Sequence, residues 1–288
     1  MNTETLSDIS DEIKSHYPTM LQSWGIIGIS ILFKVLFTPV FFLSDYTGKE
    51  QTFLVYQVLA LGSTFAYAHL RRKKTTGIST YDFNPASTKI MVLLAVSTIC
   101  LLVSIRDPLV SVLPWPEWFP DLSKTFTINN PYSIVSLVLV APVLEELIFR
   151  GIILDGLLHK YSPVKSIVFS SMLFGLIHIH PIQLVSAFLI GLFAGWVYYR
   201  TSKISLCIFI HFINNFLITL VVLFYTDDTS TDTFAATGYR HYLIYLFILM
   251  AVGGVAIYLL NKEFNTQGRN TASFSSPSRM SNLNEQTK

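Results

Sequence analysis

The feature that most constrains this chain is its succession of apolar runs, eight of them, separated by short polar stretches. A transmembrane helix needs about 20 mainly apolar residues. Candidate spans lie near residues 21–43, 52–70, 89–105, 133–158, 165–180, 183–199, 204–225 and 242–260. The expected fold is therefore all-α, a polytopic membrane bundle of about eight helices. Composition agrees, because 13% charged residues is about half the share of a soluble domain. A net charge of +2 gives no reason to expect nucleic acid as a partner. Cys100 and Cys207 sit in apolar runs without metal-ligand spacing and read as small buried hydrophobes.

The chain divides into a polar N-terminus (1–20), a membrane domain (21–260) and a polar tail (261–288) expected to be loose. The acidic start, "MNTETLSDISDEIKSHYP", lacks a basic n-region, so no removable signal peptide is expected. The stretch "RDPLVSVLPWPEWFPDLSKTFTINNP", between the third and fourth spans, reads as an interfacial loop. With the N-terminus cytoplasmic, fourteen Lys and Arg fall inside, the run "RRKK" among them, against four outside. That asymmetry places both termini in the cytoplasm.

The fourth span poses the chemical question. "APVLEELIFRGIILDG" puts Glu145, Glu146 and Arg150 inside hydrocarbon, where each charge costs at least ~2.5–3.5 kcal/mol on insertion scales. Glu146 and Arg150 stand four apart and share a helix face, with the acid on the N-terminal side. Glu145 is rotated about 100° away and lacks that partner. Other polar residues at span depth are His178 in "FGLIH", His211 with Asn214 and Asn215 in "HFINN", and Lys34 in the first span. At ~1.5 Å per residue, Glu145 and His178 lie level, ~20 Å in from the cytoplasmic ends of two antiparallel spans. His211 counts shallower, at ~10 Å, and Asn215 at ~16 Å. Interhelical glue would account for any one of these residues; the whole set, with Glu145 unpaired, favours a site. Lys34 is read as snorkelling or facing the cavity, and His180 as interfacial.

A carboxylate shielded from bulk water is suited to act as a general base. A histidine at the same depth can hold a water beside it, and a second histidine with an asparagine amide can stabilise an oxyanion. Together these are parts for attack of water on an amide carbonyl. No G-x-S-x-G is present, and no cysteine nucleophile has a placed histidine. Two histidines and a glutamate also make a zinc-type set, although H-E-x-x-H is absent. The metal-free version is favoured, with no cofactor expected and zinc as the alternative.

These motifs resemble the CPBP family, the CAAX prenyl endopeptidases of the Ras-converting type and their bacterial relatives, also called Abi proteins. "EELIFR" fits E-E-x-x-x-R, "FGLIH" fits F-x-x-x-H and "HFINN" fits H-x-x-x-N, in that order, in a core of about residues 130–225. The resemblance implies that Glu145 activates water beside His178, that His211 and Asn215 stabilise the oxyanion, and that Glu146, Arg150 and Phe174 support them. It also implies a substrate in or on the bilayer, either a membrane peptide or a prenylated or otherwise lipidated protein. A bacterial plasma membrane is the expected location. The competing functions are a non-enzymatic immunity or scaffold protein and a proton-coupled carrier. Against the carrier, the two halves show no internal repeat.

Overall fold

A computed structural model describes residues 16–106, 108–109, 130–178, 180–224 and 239–266. Residues 1–15, most of the Pro- and Trp-containing connection, the acidic "DDTSTD" and tail residues 267–288 lie outside the described residues.

Among the described residues, eight helical rods occupy the eight apolar runs. They are α1 (Met20–Leu36), α2 (Lys49–Thr76), α3 (Thr88–Leu101), α4 (residues 131–158), α5 (Pro163–Leu176), α6 (Pro181–Thr201), α7 (Ile204–Phe224) and α8 (Tyr239–Thr266). Among the described residues there is no strand; the one extended contact is an isolated bridge between Asp82 and Lys203. Counting short continuations, six rods are long and apolar enough to cross a membrane, all but α4 and α5. The chain is an integral membrane protein.

Local chemistry explains most boundaries. α1 opens on a capping box, in which Thr19 and Gln22 satisfy each other's backbone N–H. It gives way to a 3-10 turn, Thr38–Leu43, at Pro39, whose ring does not fit a helix interior. α2 closes on Gly77, in the left-handed region at φ 74° with Lys73 and Lys74 in its last turn. Pro163 and Pro181 occupy first-turn positions of α5 and α6, where a missing N–H costs nothing. The last helix runs six residues beyond the expected 260. Phe264 is buried, and Asn261 and Asn265, one turn apart, both accept from the Arg200 guanidinium. Residues 261–266 thus belong to the bundle rather than to a loose tail.

α4 alternates between two helix types. Segments Pro131–Ile134, Ala141–Ile148 and Asp155–Leu158 are α-helical, whereas Val135–Val140 and Phe149–Leu154 are π-helical. Such wide turns are uncommon and leave carbonyls free for other partners. α4 is the central rod, with Ile152, Ile153, Leu154 and Leu157 fully buried. Lipid gives apolar side chains little reason to prefer one another, so association rests on close packing. α5 and α6 meet through small residues: a Cβ on Gly175 would lie 2.9 Å from the Leu184 carbonyl oxygen, and one on Gly191 would lie 3.0 Å from the Ser171 Cβ.

At one end of the bundle a buried ionic cluster ties three rods to the α2–α3 connection. Arg72 Nη2 donates to Asp155 Oδ2 at 2.8 Å, and Tyr198 donates its hydroxyl to Asp155 Oδ1 at 3.0 Å. Arg72 also donates to the Thr80 carbonyl and lies over the Tyr81 ring. Tyr81 in turn is hydrogen-bonded to His69.

Candidate functional site

The site forms at mid-rod, where the first α-helical stretch after Val140 presents Glu145 and Glu146. Their neighbour Pro142 has a consequence across the interface. The Ala141 N–H reaches back to the Ser136 carbonyl, and Pro142 has no N–H to offer the Leu137 carbonyl five residues earlier. Asn215 of α7 takes up that carbonyl: its Nδ2 donates to Leu137 O at 2.8 Å. Asn214 donates to Asn215 Oδ1 at 3.0 Å, so the amide is oriented from both ends. One amide hydrogen of Asn215 remains for another acceptor.

Glu146 is fully buried, and its Oε1 accepts from Arg150 Nη1 at 2.8 Å, the pairing that the four-residue spacing predicts. The same oxygen lies 2.9 Å from His211 Nδ1. A carboxylate oxygen accepts, so Nδ1 carries the hydrogen, and His211 turns Nε2 toward Glu145 Oε2 at 3.8 Å. Glu145 is the more open acid, with 13% of its side chain exposed against 1% for Glu146. The expected pairing of Glu146 with Arg150 is present, and Glu145 stands outside it.

His178 differs in placement from its expected position on a helix. α5 ends at Leu176, so His178 stands two residues beyond it, in the turn into α6. Its Nδ1 donates to the Phe174 carbonyl at 2.8 Å, which fixes the ring and leaves Nε2 outward. Phe174 is the hub of the site. Its ring meets His178 and His211 edge-on at 5.1 and 5.5 Å between centroids, packs on Phe149 at 5.0 Å and lies 4.5 Å beneath the Arg150 guanidinium. The F-x-x-x-H spacing thus encodes a backbone hydrogen bond and a ring platform together.

Counting from helix starts put His211 ~10 Å too shallow. Contact with both glutamates puts it at their level, because α7 begins inside the bundle: the Ile204 N–H donates to the Asp82 carbonyl of the α2–α3 connection. Lys34 lies near the end of α1. Its ammonium interacts electrostatically with Glu145 and with His178, so a fourth rod contributes a charge that motif spacing did not pair. His180 occupies the N-cap position of α6.

The zinc alternative asks whether the donors could serve as ligands. Among the described residues no three His, Cys, Asp or Glu groups gather as a set that could hold a metal ion, although His178 and His211 engage only their Nδ1 atoms and keep Nε2 available.

Comparison with known proteins meets the same segment. Residues 127–217 match the family described as "Rce1-like: Type II CAAX prenyl endopeptidase Rce1-like". A relative in Bacillus subtilis (strain 168), named "Putative membrane peptidase YdiL", is 32% identical over 93 residues. That stretch is 32% of this chain and 38% of the relative, so the match spans well under half of either protein. No solved structure matches. The CPBP resemblance read from the three motifs holds over this segment.

Proposed function

We propose that the chain, similar over residues 127–217 to type II CAAX prenyl endopeptidases, is an intramembrane endopeptidase whose general base is Glu145. The observation that carries the reading is the geometry around Glu145. A partly exposed carboxylate stands 3.8 Å from the His211 Nε2 and interacts electrostatically with His178, while its buried neighbour Glu146 is committed to Arg150 and His211.

The chemistry follows from where protons sit. With its Nδ1–H given to Phe174, neutral His178 presents an acceptor at Nε2. A water between Glu145 and His178 donates one hydrogen to each, which turns an oxygen lone pair toward a substrate carbonyl. Glu145 takes the proton as the C–O bond forms, and the carbonyl oxygen becomes an oxyanion. The spare amide hydrogen of Asn215 stabilises that charge, beside His211, whose ring Glu146 holds in place. Glu145 then passes its proton to the leaving amine as the C–N bond breaks, and it is ready for the next water. No step requires a metal.

The substrate class proposed is a membrane-associated peptide, either a bilayer-embedded segment or a lipidated C-terminal region. The location proposed is a bacterial plasma membrane, and the orientation proposed has both termini cytoplasmic, as the Lys and Arg distribution favours. The test uses purified full-length protein in lipid nanodiscs with two fluorescence-quenched peptides, one prenylated and one not. Cleavage by the wild type with loss of about 10²–10³-fold in kcat for Asn215→Ala is expected. Cleavage untouched in both His178→Ala and Asn215→Ala would overturn the assignment.

A further inference from the structure

Two rods carry most of the site, α4 with Glu145, Glu146 and Arg150, and α7 with His211 and Asn215. Three contacts join them: His211 to Glu146 at 2.9 Å, His211 to Glu145 at 3.8 Å, and Asn215 to the Leu137 carbonyl at 2.8 Å. All three depend on how far α7 slides along α4, and one helical turn of slip is ~5.4 Å. Lipid does little to resist a slip, since acyl chains are as apolar as the side chains they touch. Polar and shape-specific contacts must therefore set the level.

Such contacts converge on residues 80–85 of the α2–α3 connection. The Asp82 carbonyl accepts from the Ile204 N–H at 2.9 Å, the Asn84 carbonyl from the Ser205 hydroxyl at 2.9 Å, and the Pro85 carbonyl from Lys203 Nζ at 3.1 Å. Ile204 stands seven residues before His211, two turns away on nearly the same face, so a fixed Ile204 fixes the level of His211.

Tyr81, in the same segment, holds α4. A Cβ built on Gly151, the residue after Arg150, would stand 2.9 Å from the Tyr81 Cε1 and 3.7 Å from the Ile204 Cδ1. The ring thus fills the joint where α4 meets the first residue of α7, and position 151 has no room for a side chain. Tyr81 is itself held: it is hydrogen-bonded to His69 Nδ1 at 2.8 Å, and the Arg72 guanidinium, paired with Asp155 of α4, lies 5.0 Å over its ring.

We propose that Tyr81 is a positioning residue. Seated on Gly151 and joined through its own chain to the first turn of α7, it fixes the register of α7 against α4 and keeps His211 and Asn215 level with the glutamates. The kinetic consequence rests on reading this site as a peptidase; the register does not. Tyr81 lies outside the matched residues 127–217.

The experiment compares wild type, Gly151→Ala, Tyr81→Ala, Tyr81→Phe, the double variant Gly151→Ala/Tyr81→Ala and Gly253→Ala, each full length in nanodiscs. Gly253→Ala controls for crowding alone, because its Cβ would lie 2.9 Å from the Cys100 Cβ, between α3 and α8. With the quenched peptide, Gly151→Ala and Tyr81→Ala are each expected to lower kcat about tenfold or more with KM nearly unchanged. Tyr81→Phe, which keeps the ring, should retain the wild-type kcat. The double variant should match Tyr81→Ala, since without the ring the closest neighbour of the new methyl is Ile204 Cδ1 at 3.7 Å. Costs that multiply in the double variant, or a raised KM with unchanged kcat, would overturn the proposal.

A second readout needs no substrate. Nitrogen NMR of labelled histidine, with the His211 signal assigned by its loss in His211→Gln, reports the hydrogen bond from Nδ1 to Glu146. That signal should move in Gly151→Ala and in Tyr81→Ala and stay in place in Gly253→Ala. Should Gly151→Ala not fold, Tyr81→Ala carries both readouts. A His211 signal unmoved by loss of the ring, or moved equally by the control, would overturn the proposal. A wild type that cleaves no peptide but shows the expected pattern of shifts would sink the peptidase reading and leave the register role of Tyr81 standing.

Discussion

Replacing Glu146 by Gln should destabilise the protein far more than so small a change suggests, because of what it strands. Glu146 and Arg150 side chains are each only 1% exposed. One oxygen, Oε1, serves both Arg150 Nη1 and His211 Nδ1, while Glu146 Oε2 and Arg150 Nη2 have no partner among the described residues. Without the carboxylate charge, Arg150 loses its anionic partner and keeps the Phe174 ring beneath it. Removing one member of a buried pair costs about 3–5 kcal/mol. Arg150→Met should cost a similar amount by stranding Glu146. The double variant Glu146→Gln/Arg150→Met leaves no unpaired charge, and it should fall short of the summed single costs by about 2–3 kcal/mol. Reversible unfolding by SDS in mixed micelles, followed by tryptophan fluorescence on all four proteins, measures the cycle. Additivity within about 0.5 kcal/mol would refute the argument, since it would mean the two charges do not depend on each other.

At the opposite cluster, Asp155→Asn strands the buried Arg72 and should cost about 3–5 kcal/mol in the same assay, whereas Tyr198→Phe removes one hydrogen bond and should cost about 1 kcal/mol. Tyr17 supplies a pH test, because burial pushes its hydroxyl up from 10.0 to about 12. Below pH 10 it is protonated whether folded or unfolded, and its contribution is intact. Between pH 10 and about 12 the unfolded chain ionises first, so stability should fall by up to ~2–3 kcal/mol relative to Tyr17→Phe. Parallel pH curves for the two proteins would contradict that.

What the sequence revealed was mostly what a single helix encodes. Apolar runs marked all eight rods, and a four-residue spacing paired Glu146 with Arg150 and put His211 and Asn215 on one face. Three motifs in order pointed to the segment that the comparisons also find. Contacts between rods were harder to read. Nothing in local spacing links Lys34 to Glu145, or Arg72 to Asp155, 83 residues apart. The depth of His211 was misjudged because α7 starts inside the bundle, a consequence of the Asp82–Ile204 contact. Pro142 was the overlooked signal: a proline inside a helical run orphans a carbonyl, and a polar group elsewhere must meet it. Asn215 does so. The end of α8 also escaped composition, since "NKEFNT" reads as polar tail until Arg200 and the buried Phe264 are seen against it.

The most direct test sets wild type beside Glu145→Gln on one quenched peptide substrate, after exhaustive chelation and with the metal content of both preparations measured. A carboxylate-activated water predicts wild-type turnover that survives chelation without stoichiometric metal, and a loss of about 10²–10⁴-fold on removing the base. Turnover that vanishes with the metal, or a Glu145→Gln enzyme that cleaves at the wild-type rate, would contradict the account at its centre.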